Sequence, residues 1–109
     1  MKLLRLQQGD QFAIPFSIFI GDEVATPDNV DGVRVQINTA LCEYPGTLTY
    51  NSADMVWEYP LTETQTRSWT VSELPCQVGV KIGNDDFRYC PTFPIWLEKN
   101  IITQTWGTP

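Results

Sequence analysis

Cys42, Cys76 and Cys90 are the strongest intrinsic nucleophiles in the chain, and no histidine accompanies them. A thiol becomes a working nucleophile when a neighbouring base or positive field converts it to thiolate. The commonest such base, which is also the commonest metal ligand, is missing. The spacing contains no Cys-x-x-Cys, so neither a zinc site nor a redox pair is written in it. The three read as buried or half-buried thiols acting as small hydrophobes, with Cys76 and Cys90 placed to face each other across two strands. Carboxylates are the next candidates. Asp85-Asp86 falls in a turn, whereas glycoside hydrolysis needs two carboxyls held at a set separation across a cleft. Asp28, Asn29 and Asp31 offer oxygen ligands without the spaced series of a calcium loop. Turn formation is a sufficient reason for both groups. We therefore expect no catalytic residues, no metal site and no cofactor.

Aromatic side chains remain, because an exposed ring can stack on a sugar or anchor a protein partner. Trp57 lies inside a hydrophobic strand and reads as core. Trp96, between Ile95 and Leu97, must point away from both, and Trp69 follows a Thr-rich loop. The segment Ile101-Ile102-Thr103-Gln104-Thr105-Trp106 is β-branched, aromatic and uncharged. It either pairs with another chain as an added strand or finishes the last strand of the same sheet. Trp69, Trp96, Ile101, Ile102 and Trp106 are thus the candidate interface.

The elements that must position these groups alternate with period two. Phe12, Ile14, Phe16, Ile18 and Ile20 share one side of a single long strand, which Pro15 marks as an edge or a bulge. Val33, Val35 and Ile37 alternate with Arg34, Gln36 and Asn38. Leu48 and Tyr50 lead through Asn51-Ser52-Ala53-Asp54 into Met55–Tyr59, a hairpin pattern. Thr62 and Gln65 fit a capping box and predict one helical turn or a tight loop. Val78, Val80 and Ile82 precede a turn at Gly83-Asn84-Asp85-Asp86, after which Phe87-Arg88-Tyr89-Cys90 returns antiparallel. Ile95-Trp96-Leu97 begins the last strand. Seven or eight short strands in 109 residues, with eight prolines and seven glycines at the connections, predict one all-β domain over 1–109, an antiparallel β-sandwich. The expected core is Phe12, Ile14, Phe16, Val33, Val35, Ile37, Trp57, Val78, Val80 and Ile82.

Charge narrows the partners. Seven Lys+Arg against thirteen Asp+Glu give −6, which argues against nucleic acid. No apolar run approaches the roughly 18 residues of a membrane helix. The first ten residues lack the apolar stretch and cleavage site of a signal peptide, so a mature chain made in the cytoplasm is expected.

Four segments together resemble a known family. Gln8-Gly9-Asp10-Gln11-Phe12 is similar to the Gly-Asp-Thr/Ser opening of a phage structural domain. Tyr59-Pro60-Leu61-Thr62-Glu63-Thr64-Gln65-Thr66 resembles its "Pro-Leu-Thr, polar residues, Thr" segment. Gln77-Val78-Gly79-Val80-Lys81-Ile82 resembles its "Val-Gln-Val-Arg-Val-Lys" strand, and Ile95–Ile102 stands where its closing strand does. The family is that of immunoglobulin-like domains of Gram-positive phages and prophages, as at the amino-terminal end of baseplate upper proteins. The resemblance implies an immunoglobulin-like sandwich and a non-enzymatic structural or adaptor role in a tail. The implied partners are other tail or baseplate proteins or a second copy, and the implied destination is the virion. A carbohydrate-binding or adhesin-type module is the alternative, which aromatic residues along a concave face would favour.

Overall fold

The computed structural model describes residues 5–99. Alternation of β-branched and aromatic residues with polar ones favours a pleated, half-buried surface, and the chain is all-β. Among the described residues it runs β1 (Arg5–Gln7), β2 (Phe12–Phe16), β3 (Phe19–Ile20), β4 (Glu23–Val24), β5 (Gly32–Ile37) and β6 (Ala40–Tyr44). It continues through β7 (Thr49–Asn51), β8 (Val56–Leu61), the helical turn α1 (Glu63–Ser68), β9 (Glu73–Gly83), β10 (Asp86–Tyr89) and β11 (Phe93–Glu98). The strands outnumber the seven or eight expected because several are two or three residues long.

A large sheet has the order β1-β11-β9-β5-β6. Gly79 and Val80 of β9 pair with β5 on one side and with β10 on the other, so β10 occupies the flank that β11 uses at Glu73–Cys76. Pairing is antiparallel except between β1 and β11. A small sheet, β2-β8-β7, packs on the same core, and β3-β4 forms a separate hairpin. Val33, Val35, Ile37, Leu74, Cys76 and Ile95 of the large sheet are buried with Ile14, Trp57, Tyr59 and Leu61 of the small one. Each such aliphatic side chain contributes about 1.5–3 kcal/mol. Two polar atoms cross this core with partners: Trp57 Nε1 donates to the Ala25 carbonyl at 2.8 Å, and the Tyr59 hydroxyl donates to the Ala40 carbonyl at 2.9 Å. Tyr44 and Tyr50 each set a ring 5.0 Å from that of Trp57.

The Thr62 cap forms as its sequence predicts: its hydroxyl accepts from Gln65 N at 3.1 Å and starts α1. The 48–59 hairpin also forms. The expected single strand from Phe12 to Ile20 does not. Pro15 has no N–H to donate, which restricts it to an edge, and β2 is indeed an edge of the small sheet. The strand ends at Phe16, and Ile18 turns its carbonyl to Ala25 N at 2.8 Å. Phe12, opposite Leu61 at the end of β8, is 42% exposed and is not core. Phe16, Val78, Val80 and Ile82 are only half-buried. The inner face of β9 thins out at Val80, which has Val33 of β5 on one side but Arg88 of β10 on the other.

Candidate functional site

The outer face of the large sheet is ordered in rows by its register. One row reads Glu43, Arg34, Gly79, Tyr89 across β6, β5, β9 and β10. The row beside it reads Leu41, Gln36, Gln77, and the row on the other side Gly32, Lys81, Phe87. These are the positions left over when the inner residues of the same strands face the core. Gly32 and Gly79 put no side chain into their rows, and the surface sinks there. A hollow of about 230 Å³ lies between both glycines, Tyr44, Pro45, Phe87 and Tyr89. A second, of about 350 Å³, is bounded by Arg34, Gln36, Asn38, Leu41, Gln77 and Tyr89. Arg34, Gly79 and Tyr89 belong to both, so the two form one trough. It follows β5 for roughly 20 Å at about 3.3 Å per residue.

Gly79 is a requirement of this surface. A Cβ there would stand 2.5 Å from Tyr89 Cε1 and 2.6 Å from Cδ1, so the tyrosine ring rests on bare backbone. Glycine inside a strand commonly marks such a close approach. The ring is covered on that side yet 61% of Tyr89 is exposed, and Phe87 is 58% exposed with Lys81 Nζ 6.0 Å from its ring centre. Arg34 Nε and Glu43 Oε1 are 2.7 Å apart on the trough wall. A pair this exposed contributes roughly 0–1 kcal/mol, too little to anchor the fold. Its structural consequence is to hold donor and acceptor atoms side by side. Two cations, Arg34 and Lys81, and two anions, Asp31 and Glu43, line the trough, which has no net formal charge on a chain of −6.

Of the residues expected to form an interface, Trp69 and Trp96 are among the described ones. Trp69 is 5% exposed at the end of α1, where its carbonyl accepts from Gln8 Nε2 at 2.8 Å, so its ring packs with the core. Trp96 faces outward and is half-buried, while Ile95 and Leu97 are buried. It pairs in register with Arg5 and Glu73, away from the trough. Ile101, Ile102 and Trp106 lie outside the described residues. Two of the loop candidates have local partners. Asn29 accepts from Thr26 N and donates to the Val24 carbonyl, and Asp86 holds Arg88 through both oxygens at 2.9 and 3.0 Å. Cys42 and Cys76 are buried and Cys90 is half-buried. Burial, and then the proximity of Cys90, pushes the Cys76 thiol up to about 12, so it stays protonated and unreactive near neutrality. Phe87, Tyr89 and Gly79 were visible in the sequence only as strand residues. The usable signal was a glycine inside a strand whose antiparallel return carries two aromatics on one face.

No family model, curated protein or solved structure matches the chain.

Proposed function

We propose that this chain is a non-enzymatic structural or adaptor module of a phage or prophage tail, of the baseplate type, with an immunoglobulin-like sandwich that works through protein–protein contacts. One observation carries the reading: the two polar segments on which the family resemblance rests touch each other. Gly9 N donates to Thr66 Oγ1 at 2.9 Å, Thr66 Oγ1 donates to the Asp10 carbonyl at 3.0 Å, and Glu63 N donates to Gln11 Oε1 at 3.1 Å. The Gly-Asp opening and the Thr-ended helical turn are therefore one structural unit, with a physical reason to occur together. Gly9 has φ +95, a backbone conformation that side-chain-bearing residues rarely adopt, so the glycine is needed there.

Attachment would use the open strand β6, which ends the large sheet and carries Leu41, 46% exposed. Edge strands offer backbone groups that another chain can complete. The test is light scattering on the chain, alone and mixed with tail proteins encoded beside it. We expect a larger complex that is lost in Leu41→Pro, which removes a backbone donor from this edge. A strict monomer in every mixture would overturn the adaptor role.

A further inference from the structure

We infer that the trough on the outer face of the large sheet is a binding site for an uncharged oligosaccharide. The inference goes beyond the tail assignment and stands independently of it, since it concerns a face and not an edge.

The argument begins with what the floor cannot do. β5 and β9 are interior strands whose backbone groups are already paired on both flanks, so a peptide cannot add there as a further strand. Nor is there an enclosed apolar pocket for a peptide anchor: the hollows are shallow, and their walls mix rings with guanidinium, carboxylate and amide groups. The lining carries no net formal charge, which disfavours phosphates, nucleic acid and acidic glycans alike.

A neutral sugar matches each feature. Its apolar C–H face lies against an aromatic ring, and Tyr89 and Phe87 offer two exposed rings along one side of the trough. Its hydroxyls each donate and accept. Arg34 and Glu43, paired through Nε and Oε1 at 2.7 Å, keep further guanidinium N–H donors and a second carboxylate oxygen for a ligand, with Gln36 and Gln77 in the next row. Gly32 puts no side chain between the rings and the polar wall, and Gly79 lets the Tyr89 ring lie down against the sheet. The trough's extent along β5 suits several linked sugars rather than one.

The test is titration, by heteronuclear NMR, with neutral tetrasaccharides of the gluco-, manno-, galacto- and N-acetylglucosamine series, and with a sialylated tetrasaccharide for comparison. We expect at least one neutral series to shift the amides of Gly32, Arg34, Gly79 and Tyr89. Tyr89→Ala should weaken binding by about tenfold, the scale of one aromatic contact. Gly79→Ala, which removes no ligand contact but displaces the ring, should weaken it similarly. Trp96→Ala, on the same face away from the trough, should leave it unchanged. Circular dichroism on each variant separates lost binding from lost folding. No shift with any neutral series overturns the inference. So does preference for the sialylated sugar, or affinity unaltered in both Tyr89→Ala and Gly79→Ala. A trough that responds instead to peptides from a tail partner would overturn the sugar while leaving the adaptor role standing.

Discussion

Removing one oxygen from the core tests how the two sheets are tied. Tyr59 is fully buried in β8 of the small sheet, and its hydroxyl donates at 2.9 Å to the carbonyl of Ala40, which opens β6 of the large sheet. Tyr59→Phe keeps the ring, including its edge-on contact with Phe16 at 6.5 Å, and deletes the hydroxyl, which besides this bond interacts with the Cys42 and Gln65 side chains. A neutral hydrogen bond contributes about 0.5–1.5 kcal/mol net, and an acceptor left fully buried costs roughly 1–3 kcal/mol. Ala40 is half-buried, so water can reach its carbonyl and the second cost is mostly avoided. The expected loss is therefore about 1–1.5 kcal/mol, well below the roughly 3–5 kcal/mol of deleting a whole aromatic side chain. Urea denaturation followed by tryptophan fluorescence should show a lower midpoint with an unchanged slope. The pH dependence adds a second check. Burial, with a smaller effect of Cys42, raises the Tyr59 hydroxyl above its usual value near 10. The native state then keeps a proton that the unfolded chain gives up, so this contribution is complete below pH 10 and declines as pH rises further. The gap between wild type and Tyr59→Phe should narrow above pH 10. A variant as stable as wild type at pH 7, or a gap that widens in alkali, would refute the account of this bond.

Val35 and Ile37, both fully buried on the inner face of β5, should each cost about 2–4 kcal/mol when truncated to alanine, read by the same titration. Cys76 should impose an alkaline limb of its own. Its folded value lies near 12 against a usual 9, so the stability it contributes is complete below pH 9 and is lost as pH rises toward 12. Between pH 9 and 10, before tyrosine ionises, wild type should lose stability with pH and Cys76→Ala should not.

Much of the fold was legible because its strongest signals are local. Val33, Val35 and Ile37 alternate cleanly and are buried, and the Thr62 cap and the hairpin into β8 depend on nearby residues alone. What was illegible depends on distant partners. β1 is three residues long and exists through parallel pairing with β11, about ninety positions away, which no local pattern announces. β6 follows a tight turn at Asn38, which takes φ +55, but its inner residues Ala40 and Cys42 are small and its one aliphatic, Leu41, faces out. Its alternation therefore reads backwards. Phe12 failed for the opposite reason: it keeps the right parity on β2 but sits past the end of the cover. Residue type points to the tryptophans as contact residues, whereas position in the sheet decides exposure. Trp69 is buried at a helix end, while Tyr89 is exposed because it faces outward on β10, a strand flanked only by β9.

Parity also separates what this protein needs for stability from what it offers to a ligand. β9 is the central strand of both. Its Leu74 and Cys76 are fully buried beneath the small sheet, and the intervening Gln77, Gly79 and Lys81 face the trough. A core position tolerates little change in volume or polarity, so the inner residues are fixed by packing. The outer ones have no such constraint, and an outer row built for stability alone would fill Gly79 with a β-branched residue. Glycine there forgoes that packing and weakens the strand by roughly 0.5–1 kcal/mol relative to alanine. The ring of Tyr89 takes up part of the vacated space while staying largely exposed. A strand that gives up local stability in order to seat an exposed aromatic ring beside a paired arginine and glutamate is organised for contact with something outside the chain.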